Sequence, residues 1–115
     1  MLLNGVRALL FDVFGTVVDW RTGIARETAQ FLRRHGAGSV DPFAFADAWR
    51  AGYQPAMEEV RSGRRAFTRL DVLHQENLES IVLKFGISSA TIPRAELDEL
   101  NLAWHRLDPW ADSVA

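Results

Sequence analysis

The ten residues FDVFGTVVDW, Phe11 to Trp20, hold the most chemically suggestive arrangement in the chain. An apolar run from Val6 to Phe11, interrupted only by Arg7, stops at Asp12, and an aromatic residue then leads into Gly15-Thr16. In open α/β sheets ligands gather outside the carboxyl ends of the strands, so an aspartate at that point faces a crevice and its carboxylate can serve as a nucleophile. The same aspartate can instead cap the turn, accepting hydrogen bonds from backbone amides two residues on. These residues alone leave both readings open.

Other side chains offer less. The chain has no cysteine, which excludes disulfide scaffolds, thiolate zinc sites and thiol nucleophiles. His35, His74 and His105 fall on separate helical segments without metal-ligand spacing and read as ordinary surface or interhelix histidines. Lys84, the only lysine, sits just before Gly86, where a cation offsets the carbonyl end of a helix dipole. Arg61, Arg64, Arg65 and Arg69 alternate with Glu58, Glu59 and Asp71 and read as a solvated face. Asp19 reads as structural.

The elements that must position Asp12 follow from periodicity. Val6 to Phe11 has the length and continuous apolar character of a buried parallel strand, with glycine following. Thr22 is expected to cap a helix carrying Ile24, Thr28, Phe31 and Leu32, which Gly36 and Gly38 end. Asp41-Pro42 opens a second helix lined by Phe45, Ala46, Trp49 and Tyr53, and Pro55 breaks or kinks it. Ala56 to Arg61 continues helically, another helix runs from about Phe67 to Phe85, and a last one starts near Pro93 and presents Leu97, Leu100, Trp104 and Leu107 until Asp108-Pro109. The inventory is one strand followed by about four helices. A lone strand cannot satisfy its backbone groups, so the expectation is a truncated chain or one that needs a partner, with Trp110 to Ser113 opening the next helix.

Composition bounds the class. At 115 residues, 48% hydrophobic and 24% charged, the chain is one small domain or a piece of a larger one, with a packed core. A net charge of -2 with no long basic block argues against a nucleic-acid partner. The start MLLNGVRALLF lacks the features of a secretory signal, and nowhere do about 18 apolar residues run uninterrupted, so the expectation is a soluble, cytoplasmic protein with no membrane partner.

The pattern of apolar strand, Asp12, Gly15, Thr16 and Asp19 resembles the first motif of the haloacid dehalogenase superfamily, whose aspartate forms a covalent intermediate with substrate. The helices that follow are similar to the cap inserted after the first strand of that superfamily. More narrowly, FDVFGTVVDWR, AWRAGYQPAMEEVRSG (Ala48 to Gly63) and WHRLDPWADS (Trp104 to Ser113) resemble the type II, (S)-2-haloacid dehalogenase branch. The resemblance covers the whole chain but only the amino-terminal half of such an enzyme. It implies an α/β fold in which residues 1–20 form the first strand and motif loop of a Rossmann-like core, 21–108 a mainly helical cap, and 109–115 the return to a core whose remainder is absent from this chain.

The same resemblance assigns roles. Asp12 is the expected nucleophile, Thr16 hydrogen-bonds near it, Arg50 reaches into the site from the cap, and Val13 and Phe14 line the substrate pocket. Phosphatases of the superfamily carry a second aspartate where this chain has Phe14, because a phosphoryl leaving group needs a general acid and the attacking water then needs a base. A phenyl ring can do neither. It can pack a carbon–halogen bond, whose halide leaves unprotonated, or simply serve as a core aromatic. The implied activity is hydrolysis of short 2-haloalkanoic acids with no metal and no cofactor, by a chain inactive alone because the family's lysine, hydroxyl and final acidic motifs lie in the other half. The implied partners are the small 2-haloacid and the remaining core segment of the same enzyme, and a homodimer is compatible with it. Two alternatives stand beside it: a phosphatase-like hydrolase of the same superfamily using Mg2+, and a non-catalytic helical interaction domain.

Overall fold

Side-chain caps and prolines place the first helices. In the computed structural model, which describes residues 4–114, α1 spans Trp20–Arg34 and Asp19 Oδ1 accepts from the Thr22 amide at 3.2 Å. The cap is therefore Asp19 rather than the expected Thr22. α2, Pro42–Ala51, begins as expected, with Asp41 Oδ1 accepting from the Phe43 amide at 2.9 Å and Pro42 in the first turn.

The break after α2 falls earlier than Pro55. α2 stops at Ala51, and α3 runs Tyr53–Arg61, so Tyr53 starts the third helix instead of ending the second. Pro55 has no N–H for the Ala51 carbonyl and its ring crowds it; the interruption moves before the proline, which then sits comfortably in a first turn. Gly52 at the junction also meets α4, because a Cβ there would lie 2.7 Å from Asn77 Cγ.

α4 is Leu70–Lys84, opening three residues after the expected Phe67, and Phe67 itself stays exposed. After a short 3-10 turn at Ser89–Thr91, α5 spans Arg94–Asn101 and tightens into a second 3-10 turn, Leu102–His105, where a single helix through Leu107 was expected. The core is drawn from all the main helices: Ile24, Phe31 and Leu32 of α1, Phe45 and Trp49 of α2, Leu78, Ile81 and Val82 of α4, Leu97 and Leu100 of α5, with Trp104. α1 packs on α2, α2 on α4, and α4 on α5.

The expected strand is not formed. Among the described residues Val6 to Phe11 has no β partner, and the β pairings are two isolated bridges, Phe14 with Val18 and Val18 with Pro109. Val6, Leu9, Leu10 and Phe11 are exposed. A strand gains its backbone hydrogen bonds only from neighbours on its edges, and the described residues offer none here. Trp110 to Ser113 likewise forms turns and not a helix. Met1 to Leu3 and Ala115, at the outer ends of the segments assigned to the core, lie outside the described residues.

Candidate active site

The loop after Asp12 is tied by its own backbone. Val13 O accepts from the amides of Thr16, Val17 and Val18 at 3.2, 2.9 and 3.2 Å, and the Gly15 amide donates to Val18 O at 3.0 Å. Gly15 takes φ +90°, a conformation that a side chain would strain. A segment from the far end of the chain straps this loop down: Trp110 Nε1 donates to Gly15 O at 3.0 Å, and Val17 O accepts from the Trp110 amide at 3.0 Å and from Ser113 Oγ at 2.7 Å.

This geometry bears on the two readings of Asp12. Among the described residues no backbone amide donates to its carboxylate; the loop amides turn to Val13 and Val18 instead. Thr16 Oγ1 donates to Asp12 Oδ2 at 2.5 Å, and the aspartate is otherwise exposed. The carboxylate is thus held through one oxygen by Thr16 in a residue that remains exposed. Val13 contributes its carbonyl to the loop and keeps its side chain exposed.

Arg50, in the last turn of α2, lies among aromatic faces. Its guanidinium carbon is 4.0 Å from the Tyr53 ring centre, 5.2 Å from Phe14 and 5.9 Å from Trp20. Among the described residues it has no carboxylate partner, and its Nη1 is buried without a hydrogen bond. Most other arginines are paired, as Arg61 with Glu58, Arg64 with Glu59 and Arg65 with Glu76, which makes the expected solvated face real. Phe14 links the two halves of the site: it follows Asp12 by two residues and packs beside Arg50 and on Trp104, ring centres 5.4 Å apart. No hydrogen bond joins Arg50 to Asp12.

The sequence did not mark His74 and Trp104 as site residues: His74 reads there as an ordinary surface or interhelix histidine and Trp104 as one apolar position of the last helix. His74 of α4 is 2% exposed and packs at a tilt on Trp104 with ring centres 4.6 Å apart, and its carbonyl accepts from Trp49 Nε1 at 2.9 Å. Burial, reinforced by the Arg50 charge, pushes its imidazole down to about 4, so it is neutral at pH 7. Its only sequence signal is its apolar neighbourhood on α4.

No group of three or more His, Asp or Glu side chains that could hold a metal ion occurs among the described residues. A groove between α4 and α5 is lined by Asp71, Gln75, Glu76, Glu79, Arg94 and Asp98, but its carboxylates are occupied: Glu76 by Arg65, and Glu79 and Asp98 by Arg94.

No family model matches the chain, and no curated protein matches it. Solved structures do. A defluorinating L-2-haloacid dehalogenase is 56% identical with a TM-score of 0.89, over 95% of this chain and 44% of that one. A second L-2-haloacid dehalogenase is 40% identical with a TM-score of 0.80, over 95% of this chain and 45% of that one. The L-2-haloacid dehalogenase of Xanthobacter autotrophicus, at 20% identity and a TM-score of 0.67 over 90% of this chain and 38% of that one, shares the fold. The chain spans less than half the length of each of these relatives. By sequence and fold it belongs with the L-2-haloacid dehalogenases of the haloacid dehalogenase superfamily, corresponding to a part of such a protein.

Proposed function

We propose that this chain supplies the nucleophile-bearing part of a hydrolase that removes halide from short 2-haloalkanoic acids. Residues 1–20 and 109–115 belong to its core and 21–108 to its cap, and a further core segment of the same enzyme completes the sheet beside Val6 to Phe11. The observation that carries the reading is Asp12, held through one oxygen by Thr16 in a residue that remains exposed.

The chemistry proceeds in two displacements. An Asp12 oxygen attacks the halogen-bearing carbon in line; the new C–O bond forms as the C–halogen bond breaks, halide leaves with its electron pair, and the carbon inverts. Water then adds to the aspartyl carbonyl, the ester opens, and the 2-hydroxy acid departs as the Asp12 carboxylate and one proton are released. Thr16 orients the nucleophile, Val13 and Phe14 line the pocket, and Arg50 holds the substrate carboxylate or the departing halide. Halide leaves without protonation, so the first step calls for neither a general acid at position 14 nor a metal cofactor. A cytoplasmic setting suits a chain without cysteine in which, among the described residues, no helix is long and apolar enough to cross a membrane.

The test joins the chain to its core segment and follows one turnover in 18O-labelled water. Label is expected in the Asp12 side chain, because water attacks that carboxyl and not the substrate carbon, and Asp12→Asn is expected to lower halide release by at least about a thousandfold. Unlabelled Asp12 after a completed turnover, or full activity in Asp12→Asn, overturns the mechanism. Phosphate release from simple esters without halide release replaces it with the phosphatase alternative.

A further inference from the structure

Three side chains from three elements bring unsatisfied polar atoms to one cluster: Arg50 Nη1 from α2, both ring nitrogens of His74 from α4, and Trp104 Nε1 from the 3-10 turn after α5. All are buried without hydrogen-bond partners among the described residues. Leaving such groups unpaired is costly, and a folded protein rarely does so without a reason. Shared neighbours tie the cluster together. Phe14 lies 5.2 Å from the Arg50 guanidinium carbon, with its ring centre 6.5 Å from that of His74 and 5.4 Å from that of Trp104. Tyr53 lies 4.0 Å from the same guanidinium carbon and 6.3 Å from the His74 ring.

Donors dominate the set. An indole and a guanidinium only donate, and a neutral imidazole offers one N–H beside one acceptor nitrogen. Arg50 brings a positive charge that no carboxylate among the described residues answers. A desolvated cation beside two neutral donors suits a single small anion, whose charge is far better compensated there than that of any neutral ligand.

We propose that His74 and Trp104 complete, with Arg50, a subsite for one small monovalent anion. The proposal rests on the dehalogenase reading for the choice of anion, which is either the carboxylate of a short acid or the released halide. The cluster of donors stands without that reading. His74 and Trp104 act here as neutral donors that fix where the anion sits against the Arg50 charge. His74 must stay unprotonated for this, and the groups facing it are Arg50 of α2, Asp71 of its own helix and His105 of the following turn. Of these Asp71 is engaged by His105 at 2.7 Å.

The experiment titrates the 115-residue chain at pH 7 with sodium propionate and, separately, sodium chloride, with sulfate balancing the ionic strength. The Trp104 indole N–H and His74 ring resonances are followed by NMR. The expected result is a saturable shift of both resonances with at least one anion; saturation by propionate alone identifies the carboxylate, and by chloride the halide. His74→Phe, which keeps the ring, is expected to weaken that binding about 3- to 10-fold, and Trp104→Phe by a similar factor. Shifts that stay linear with both anions overturn the proposal, as does wild-type affinity in His74→Phe. Because the wild-type resonances report directly, a variant that fails to fold leaves the outcome readable. Anion binding is read on the wild-type chain and the Asp12 mechanism by the 18O label, so each is scored without the other. Lost binding with an intact Asp12 mechanism therefore refutes the subsite alone, and retained binding with an inactive mechanism refutes the dehalogenase reading alone.

Discussion

Between residues 20 and 105 the inward-facing apolar side chains of the helices leave solvent: Phe31, Phe45, Trp49 and Leu78 keep none of their surface exposed, while Phe67 and Leu83 on the outside stay in water. Between residues 6 and 13 the chain is even more apolar, yet Leu10 remains 96% exposed and Phe11 72%. Hydrophobicity does not explain the difference, since the exposed stretch is the more apolar of the two. The two regions differ in where their backbone hydrogen bonds come from. A helix closes its own amide–carbonyl ladder and needs a neighbour only for one face, which α1, α2, α4 and α5 supply to each other. A strand must borrow every bond from an adjacent strand, and no amount of apolar character replaces that.

The contrast can be broken or sharpened by measurement. The largest effect belongs to the helical region: Phe45→Ala removes a ring packed on Trp49 and Phe85 and is expected to destabilise the chain by about 3–5 kcal/mol in chemical denaturation. A loss below about 1 kcal/mol would mean that the helices do not form one tight core.

Acid should reach the same region through His74. Its folded-state pKa is depressed from 6.5 to about 4, so between those values the unfolded chain binds a proton that the folded chain refuses. Stability then rises with pH across that window; it is fully present above about 6.5 and falls away as pH drops toward 4. The contribution is on the order of 3 kcal/mol, and it should appear as the difference between wild type and His74→Phe unfolded at pH 7 and at pH 4.5. A difference that does not change with pH would show that His74 titrates normally.

The smallest effect is expected in the amino-terminal stretch. Leu10→Ser should change the stability of this chain by no more than about 0.5 kcal/mol, since the side chain is already in water. With a core segment supplied, the same substitution should cost about 2–3 kcal/mol, because the strand is then buried on formation of the sheet. An equal effect in both settings would remove the argument that this stretch is waiting for neighbours.

The parts legible in the sequence are those governed by near neighbours along the chain. Asp41-Pro42 opened α2 as expected, and Asp12, Gly15 and Thr16 could be marked as one motif because Thr16 meets Asp12 four residues away across a turn that glycine permits. Where two local rules competed, the sequence misplaced the boundary. Pro55 signalled a break but not that Gly52, pressed by Asn77, would host it, and Asp19 won the cap from Thr22. Arg50 stood out only by resemblance, since eleven other arginines have the same chemistry.

By itself the sequence determined the helical periodicity, the composition of the core and the presence of a carboxylate at the end of an apolar run, because each depends on residue type and on spacings of a few positions. Tertiary structure decided what surrounds Arg50. His74 lies 24 residues from it and Trp104 a further 30, so only the packing of α4 and the turn after α5 against α2 could bring three unpaired polar groups into one place. It also decided that Trp110 and Ser113 would clasp the Asp12 loop from the opposite end of the chain. Long-range meetings of this kind leave no local period to read, since they arise from burying faces that the sequence marks as apolar without naming their partners.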